Sequence, residues 1–501
     1  MAMCTLHDLI DHHAETRPDA PFVIAPEPGV TITYRELREA CRALGGFLHA
    51  HNVGAGDVVS FMLSNGIAAA TVFLGAMYAG RVVCPLNLIA QDALLEHVIA
   101  HSDTRMVFAA PDLADRIERL VATCGRAIMV HAIDPDASRF ERGAATAPVP
   151  ISPESPALLM YTSGTTGIPK GALLSHANLI HAAEAVVSGH RLTPDDRVLS
   201  SLPLYHVNGQ CIATLSPLRA GGSIVMPHRF SVSQWWTLVE RYRPTWLNMV
   251  PTIISYLLNG PDLTAEQAAA CRGIRFGRSA SAPLPPEQHR AFESRFGVSI
   301  IEAMGLTESA SIAFANPLDQ DKRKHGSVGL PLGVEARVVA SDGTVLGNGA
   351  HGELQLRGGS VMQGYYKAPD LTAGTIKDGW LATGDLGYRD DDGFYFVTGR
   401  LKELIIKGGE NIAPREIDEA LLKHPAVLEA AAVGVADPHY GQEIAACVVL
   451  KSSAACSEEA LRAHCLRELG SYKTPKILRL VADLPKGPSG KVQRLKLLEL
   501  L

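Results

Sequence analysis

The alternation of two patterns constrains the fold of this chain most. Short strand-like runs are followed by stretches with helical periodicity over most of its length, which is typical of layered α/β structure. Near the start, Thr33 and Glu36 have the spacing of a helix capping box and precede apolar residues at helical intervals. The 501 residues exceed what one hydrophobic core organises, so we expect about three domains or lobes.

Two changes of texture divide the chain. Between residues 320 and 400 glycines become frequent and short strands such as "GELQLRG" dominate, which indicates a small β-rich lobe on the layered part. After "GRLKELI", two helical segments and two strand-like runs predict a compact α+β unit. We therefore predict an α/β protein with a large N-terminal domain, residues 1–401, and a small C-terminal domain, residues 402–501.

Charge and cysteine usage narrow the functional classes. The net charge of −6 and the lack of a long Lys/Arg run argue against a nucleic-acid partner, so local cations must hold any anionic ligand. The nine cysteines form no C-x-x-C pair, which favours a reducing compartment. With no signal-like start and no apolar run of membrane-spanning length, we expect a cytoplasmic protein without a membrane partner. The oligomeric state stays open.

The stretch "YTSGTTGIPKG" predicts a phosphate-binding loop. Glycines leave backbone N–H groups free to point at phosphate oxygens, and the hydroxyls add donors. The P-loop pattern is absent, because Gly164 is followed five residues later by Pro169. Strand-like runs lead into and out of the loop, which argues against the alternative of a plain glycine–threonine linker.

Five further stretches follow in order: "PLYHVNG" (203–209), "EAMGLTES" (302–309), "TGD" (383–385), "GRLKELIIKGGENIAPREID" (399–418) and "PKGPSGKVQR" (485–494). In this order and spacing the six stretches resemble the adenylate-forming enzymes, which include acyl-CoA synthetases, adenylation domains of peptide synthetases and luciferases. The resemblance covers essentially the whole chain. It implies that a carboxylate attacks the α-phosphate of ATP, releasing pyrophosphate, and that a thiol then displaces AMP.

The resemblance assigns the phosphate groups to two motifs. The β- and γ-phosphates are expected on Thr162, Ser163, Gly164, Thr165, Thr166, Gly167 and Lys170. Thr307 is expected to bond the α-phosphate and Glu308 to hold Mg²⁺, since a hard cation prefers carboxylate oxygen. Without the other motifs, this Thr–Glu pair would be read as a surface helix cap.

Ribose and catalytic contacts are implied further along the chain. Asp385 is expected to accept both ribose hydroxyls, and Arg400 to bind the ribose or the phosphates. Lys491 occupies the place of the family's adenylation lysine, which bridges the carboxylate and the α-phosphate. The alternatives are a turn residue for Asp385 and an exposed tail lysine for Lys491.

The resemblance also implies a moving domain. Lys402 matches the family's hinge, and rotation about it would exchange the groups that serve the two steps. Gly408 and Gly409 would then leave room for the pantetheine arm of CoA; the less favoured alternative is that they only form a hairpin turn. Met304 departs from the family, whose members usually stack an aromatic side chain on adenine at this position. Polarisable methionine still covers a ring.

The nature of the acid is indicated by residues near 206 and 278. Amino-acid-activating relatives have F-D-x-S where this chain has Tyr205–Asn208, so a histidine, His206, replaces the aspartate that pairs with an ammonium group. Amino acids are therefore disfavoured. His206 is expected to contact the acyl group or gate CoA entry, with a plain core histidine as the alternative. No carrier domain follows, so we expect free CoA as the acceptor.

Several stretches are most similar to the oxalyl-CoA synthetase branch. Arg278 suits a second anionic group on the acid, with Ser279 beside it; a salt bridge to a local acid is the alternative. Arg229 and His228 are weaker candidates for the same role. Asn208 stands where oxalate enzymes have a histidine. We expect a short acid with a second anionic group, oxalate-, malonate- or sulfoacetate-like; the alternative is a medium-chain fatty or aromatic acid.

Overall fold

The computed structural model describes residues 4–137, 150–162, 169–451, 454–486 and 492–501. Within these ranges the chain folds into four β-sheets flanked by helices. The predicted mixed α/β fold, with a large N-terminal and a small C-terminal domain, is confirmed. None of the helices in these ranges is long and apolar enough to cross a membrane.

The first sheet gathers strands from both ends of the large domain. Its nine described strands are β1 (Pro21–Ala25), β2 (Val30–Thr33), β9 (Arg197–Leu199), β10 (Ser223–Val225), β11 (Trp246–Met249), β12 (Phe276–Ser279), β13 (Ile300–Met304), β14 (Phe314–Ala315) and β15 (Leu330–Pro331). Their order is β15-β14-β13-β12-β11-β9-β10-β1-β2. The strands from β1 to β13 along this order run parallel, so their carboxyl ends lie at one edge. That edge carries Ser279 and Met304.

The second sheet holds the strands around the predicted phosphate loop. Its strands are β3 (Val58–Met62), β4 (Val82–Pro85), β5 (Thr104–Ala109), β6 (Met129–Ala132), β7 (Pro156–Thr162), β8 (Lys170–Ser175) and β18 (Gly364–Tyr365), in the order β18-β8-β7-β4-β3-β5-β6. The antiparallel pair β7 and β8 confirms the strand–loop–strand prediction.

The third sheet is the predicted β-rich lobe. It contains β16 (Glu335–Val339), β17 (Gly352–Arg357), β19 (Ile376–Lys377), β20 (Trp380–Arg389) and β21 (Tyr395–Arg400), which pair antiparallel. The fourth sheet follows in the small domain, with β22 (Ile405–Lys407), β23 (Glu410–Ile412), β24 (Val427–Asp437), β25 (Gly441–Leu450) and β26 (Ile477–Leu480).

The helices cover the sheets and fill the space between them. They are α1 (Leu6–Thr16), α2 (Tyr34–Ala50), α3 (Ile67–Tyr78), α4 (Asp92–His101), α5 (Pro111–Ala122), α6 (His176–His190), α7 (Ser216–Ala220), α8 (Val232–Tyr242), α9 (Pro251–Leu258), α10 (Ala265–Cys271), α11 (Pro286–Phe296), α12 (Pro369–Thr375), α13 (Pro414–Leu422) and α14 (Glu458–Lys473). α3 is apolar on all sides and buried along its length, as expected of a helix packed between layers. The predicted capping box of Thr33 and Glu36 is confirmed at the start of α2.

One acid lies in the core of the first sheet. Glu302 of β13 is buried; the Leu284 N–H donates to its Oε1 at 3.3 Å, and no described residue forms a hydrogen bond with Oε2. Burial raises the pKa of Glu302 to about 7 from 4.5, although Arg415 and the Leu284 N–H lower it. An acid whose folded pKa is raised destabilises the fold when ionised. This cost is absent below about pH 4.5 and is complete above the folded pKa.

We therefore predict a pH-dependent effect of Glu302→Gln. The amide keeps an acceptor for Leu284 and carries no charge, so the variant should be more stable than the wild type at pH 8, on the order of 2–3 kcal/mol. The difference should shrink steadily towards pH 4.5. Chemical denaturation of both proteins across this range measures the difference, and parallel stability curves would contradict the prediction.

Candidate active site

The carboxylate of Glu308 is fixed where β13 ends. A single turn of 3₁₀-helix, Thr307–Ser309, follows the strand and carries it. Tyr365 donates its hydroxyl hydrogen to Oε1 of Glu308 at 2.9 Å, and the Met362 N–H donates to the Glu308 carbonyl at 2.8 Å. The carboxylate is thus oriented and keeps lone pairs for a hard cation, so the residues present fit Mg²⁺.

Lys170 faces the same corner from the second sheet. It pairs with Thr162 across β7 and β8, and these two residues flank the predicted phosphate loop. Its ammonium group lies 5.6 Å from the ring centroid of Tyr365, whose hydroxyl contacts Glu308. Tyr365 therefore contacts both the Lys170 ammonium group, through its ring, and the Glu308 carboxylate, through its hydroxyl. The predicted loop residues Ser163, Gly164, Thr165, Thr166 and Gly167 lie outside the described residues.

Asp385 and Arg400 lie opposite each other on neighbouring strands of the β-rich lobe. They pair across β20 and β21, and Nε of Arg400 lies 2.7 Å from Oδ1 of Asp385. The Asp385 side chain is 4 % exposed and that of Arg400 is 45 % exposed. Asp385 raises the pKa of Arg400, burial opposes it, and Glu403 and Glu308 add to the rise. The charge of Glu308 therefore acts on Arg400, which lies on the β-rich lobe.

A buried cation lies among neutral amides at the end of β12. Arg278 is 1 % exposed, and its strand partner in β11 is Asn248. Nη1 of Arg278 donates to Oδ1 of Asn208 at 3.4 Å, and Nδ2 of Asn248 donates to the same oxygen at 3.1 Å. Nδ2 of Asn208 in turn donates to the Ser281 hydroxyl at 3.1 Å. The amides orient the guanidinium without neutralising it.

Within the described ranges no carboxylate forms an ion pair with Arg278, so the alternative of a local salt bridge has no partner there. Burial lowers the pKa of Arg278 to about 9, which leaves the group charged at neutral pH. Nε of Arg278, the Ser279 hydroxyl and Oδ1 of Asn248 are buried and have no hydrogen-bond partner in the part of the chain that the structure describes. Nearby His190 is held neutral, because burial and then Arg278 lower its pKa to about 3. These groups leave an unbalanced positive charge at the ends of β11 and β12.

The remaining predicted residues fall in different places. His206 is half-buried, tilts against Tyr205 with ring centroids 4.8 Å apart, and precedes the π-helical segment Asn208–Leu215. Met304 is half-buried and is the last residue of β13. Two residues later, Leu306 caps the 3₁₀ turn that carries Glu308.

The weaker anion candidates do not join the Arg278 group. Arg229 is exposed on the loop before α8, and no hydrogen bond or ion pair among the described residues links it to Arg278. His228 is 2.8 Å from Oδ1 of Asp136, so its ring already has an acidic partner.

In the small domain, Gly408 and Gly409 form the turn of a hairpin. Lys407 pairs with Glu410 across them, and both glycines have positive φ, +56° and +87°, as a two-residue turn requires. The hairpin alternative thus describes their conformation. A Cβ on Gly408 would lie 3.0 Å from the Tyr472 hydroxyl, so a side chain at this position would require that hydroxyl to shift. Predicted hinge residue Lys402 is exposed in a short 3₁₀ turn, Leu401–Glu403.

Lys491 lies outside the described residues, but Lys486, Val492 and Arg494 near it in the sequence make defined contacts. Val492 pairs with Lys486 across the tip. Arg494 lies 2.5 Å from Oδ2 of Asp418 and 3.1 Å from Oε2 of Glu403. Arg494, three residues beyond Lys491 in the sequence, is thereby joined both to the helix α13 and to the region of the predicted hinge.

Two residues of this site escaped the sequence analysis. Tyr365 stands in "QGYYK", where no flanking pattern marks a tyrosine that will meet a distant glutamate. Asn248 offered a signal, since it is one polar residue inside the apolar run "WLNMV". A buried amide in a central strand needs hydrogen-bond partners. Asn248 bonds to Asn208, which in turn contacts Arg278.

Comparison with known proteins supplies a family. The AMP-binding enzyme model matches residues 10–366, and the model of the AMP-binding enzyme C-terminal domain matches residues 416–491. The chain is 54 % identical to a sulfoacetate–CoA ligase of Cupriavidus necator, over 99 % of this chain and 97 % of that one. An oxalate–CoA ligase of Arabidopsis thaliana is 33 % identical over 98 % and 97 %. The crystal structure of ATP-bound MatB from Rhodopseudomonas palustris superposes with a TM-score of 0.89 at 31 % identity, covering 99 % of each chain.

The Asp385–Arg400 pair yields a prediction for ATP binding. Replacing the carboxylate in Asp385→Asn removes the charged acceptor expected for the ribose hydroxyls, so the dissociation constant of ATP should rise by about 10–100-fold. Equilibrium titration with ATP measures it. Glu335→Gln is the control, because Glu335 forms a comparable pair with Arg357 at 2.7 Å in the same lobe. Equal ATP affinity in the two variants would contradict the ribose assignment.

Proposed function

The chain belongs to the AMP-binding enzyme family, and on that premise we propose that it joins a short carboxylic acid bearing a second anionic group to coenzyme A. Its reaction class is that of the AMP-forming acid–thiol ligases, with ATP, Mg²⁺ and CoA as co-reactants. A carboxylate oxygen of the acid bonds to the α-phosphorus of ATP and pyrophosphate leaves. The CoA sulfur then bonds to the acyl carbon, and AMP leaves with the bonding electron pair.

The observation that carries the choice of acid is the buried Arg278. A guanidinium without an acidic partner in the described residues costs free energy, which an anionic ligand would offset. Its planar fork matches two oxygens of a carboxylate or a sulfonate. The Ser279 hydroxyl and Oδ1 of Asn248, which have no hydrogen-bond partner among the described residues, lie on the same two strand ends and supply further polar atoms. These groups favour an acid whose second end is charged.

Among such acids we propose a sulfonate, with sulfoacetate as the model substrate. The support is the 54 % identity to a sulfoacetate–CoA ligase over nearly the full length of both chains. A sulfonate stays ionised at every physiological pH, so its pairing with Arg278 does not depend on protonation. Asn208 adds an amide that orients Arg278 rather than a histidine that could itself titrate.

We assign the parts of the bound ATP to the remaining predicted residues as follows. Thr162 and Lys170 would flank the terminal phosphates, with Thr307 on the α-phosphate, Asp385 and Arg400 on the ribose, and Met304 on the adenine. Bound Mg²⁺ would be held by Glu308 and would neutralise phosphate charge. His206 would border the acyl group.

We further propose that residues 402–501 move as one domain about Lys402, with Lys491 serving the first step only. The hairpin of Gly408 and Gly409 would border the pantetheine arm in the second step. A cytoplasmic location without nucleic-acid or membrane partners stays a prediction from composition.

The substrate proposal predicts a steep preference. Sulfoacetate and short dicarboxylates should exceed propionate, hexanoate and benzoate in kcat/KM by about 10⁴, because a monoanion leaves the buried guanidinium unpaired. A coupled assay of pyrophosphate release and CoA-dependent AMP formation measures the panel. Faster turnover of hexanoate or benzoate than of every dianionic acid would favour the fatty or aromatic alternative.

The same charge predicts an unusual variant. Arg278→Met should lower kcat/KM for sulfoacetate by about 10³-fold or more, since the sulfonate loses its partner. Its unfolding temperature without ligands should be unchanged or higher, because an unbalanced buried charge is removed. Arg272→Gln, an exposed arginine on the preceding helix end, is the control. A marked loss of stability in Arg278→Met would indicate a structural ion pair instead.

Lys491 can be tested by separating the two steps. Lys491→Ala should lose adenylation, measured as exchange of labelled pyrophosphate into ATP, by at least about 10²–10³-fold. Thioester formation from supplied acyl-adenylate and CoA should persist. Lys496→Ala, an exposed lysine of the same segment, should retain both steps. Equal loss of both steps in Lys491→Ala would remove the role proposed for it.

A further inference from the structure

Three potential metal ligands converge far from the groups assigned above. His289 and Glu293 are one turn apart on α11, and His325 comes from the segment between β14 and β15. Nε2 of His289 lies 3.3 Å from Oε1 of Glu293, and Nε2 of His325 lies 3.6 Å from Oε2. One ligand atom from each residue lies within 4.8 Å of the others.

The histidine pair is hard to explain as ordinary packing. His289 is 2 % exposed, its Nε2 faces the Glu293 carboxylate, and its Nδ1 has no hydrogen-bond partner among the described residues. Its ring centroid lies 4.3 Å from that of His325 in an edge-on arrangement. Two imidazoles at this distance cannot both be protonated without repulsion, whereas neutral imidazoles offer lone pairs to a shared cation.

We propose that His289, Glu293 and His325 bind one divalent transition-metal ion of the Zn²⁺ class. Two imidazole nitrogens and one carboxylate oxygen are a ligand set that suits Zn²⁺ or Co²⁺ and disfavours Mg²⁺. With metal–ligand bonds of about 2.0–2.1 Å, tetrahedral coordination separates ligand atoms by about 3.3 Å. The separations of 3.3 Å from His289 to Oε1 and 3.6 Å from His325 to Oε2 are close to that spacing but involve different oxygens of Glu293. One ligand atom from each of the three residues lies within 4.8 Å of the others, so small side-chain rotations would bring them onto one ion. A water molecule would complete the coordination.

The proposed site is separate from the magnesium position. The N–H of Ile300, at the start of β13, donates to Oε1 of Glu293 at 2.7 Å, whereas Glu308 follows the opposite end of that strand. Pro286 and Gly326 line an open cleft of about 1350 Å³ between the β-rich lobe and the small domain. Half-exposed His325, next to Gly326, thus has access to ions from solution.

One neighbouring charge opposes a cation. Nη1 of Arg323 lies 3.9 Å from Oε1 of Glu293. The guanidinium of Arg323 donates to the carbonyls of Pro317 and Ile300, at 2.8 and 2.9 Å, and to Leu318 at 2.6 Å. Because these oxygens hold Arg323 in place, it weakens metal binding through its charge without occupying the carboxylate.

Metal binding would fasten α11 to the segment that leads into the β-rich lobe. Two residues beyond His325, Ser327 donates to the Tyr395 carbonyl at 2.9 Å, and the Val328 N–H donates to the same oxygen at 3.0 Å. The ion would therefore connect the first sheet to the lobe that carries Asp385 and Arg400. Its role would be structural, and it does not depend on the identity of the acid.

The test is Zn²⁺ binding by the metal-free full chain without nucleotide. Competition with a chromogenic zinc indicator should give one high-affinity equivalent, and Co²⁺ should give the visible absorption of a tetrahedral nitrogen and oxygen site. His325→Ala should lower this affinity by about 100-fold or more, beyond the 10–100-fold typical of losing an outer partner. His325→Gln serves as a second variant, and thermal unfolding confirms that each variant is folded.

The matched control is His424→Ala. His424 lies 3.9 Å from Sγ of Cys456 and packs edge-on against His464, so it is another place where Zn²⁺ could find ligands. This variant should bind like the wild type. The proposal is overturned if the wild type binds no Zn²⁺ at micromolar concentration, if folded His325 variants bind with wild-type affinity, or if His424→Ala loses the equivalent instead.

Discussion

Repulsion between anions is the constraint on which this site depends. The reaction brings a carboxylate against a triphosphate, and a chain with a net charge of −6 provides no general attraction for either. Attraction must therefore come from individual cations on different sheets. Lys170 lies over the Tyr365 ring, Arg400 pairs with Asp385, and Arg278 is oriented by amides. Arg400 forms an ion pair with Asp385, whereas Arg278 has no acidic partner among the described residues and is available to an anionic ligand.

The setting of Arg278 explains how a small acid can be chosen at all. A molecule of a few atoms offers little surface, so contact area cannot distinguish it from its neighbours. In the proposed site, a buried cation held by the Asn208 amide, which Asn248 orients, would discriminate in another way, because every ligand without a second negative charge would leave the guanidinium unpaired. Specificity then comes from a penalty on the wrong acid as well as from attraction to the right one.

The sequence predicted what is local and missed what is assembled in space. The strands around the predicted phosphate loop, β7 and β8, were predictable from their apolar runs. The pairing of Asp385 with Arg400 was not, although each was identified from its own motif, since strand register depends on the whole lobe. Tyr365 reaches Glu308 across 57 residues, and no periodicity encodes that contact.

The position of Arg494 bears on how the small domain would move. It ties the segment after Lys491 to Glu403, which adjoins Lys402, and to the buried carboxylate of Asp418. Burial raises the pKa of Asp418, while Arg494 acts in the opposite direction, so the pair depends on its mutual contact. Breaking such a buried pair typically costs about 3–5 kcal/mol. Rotation of the whole small domain about Lys402 would keep the Arg494–Asp418 pair intact. Moving the segment around Lys491 by itself would break that pair, so we expect Lys491 to leave together with the small domain.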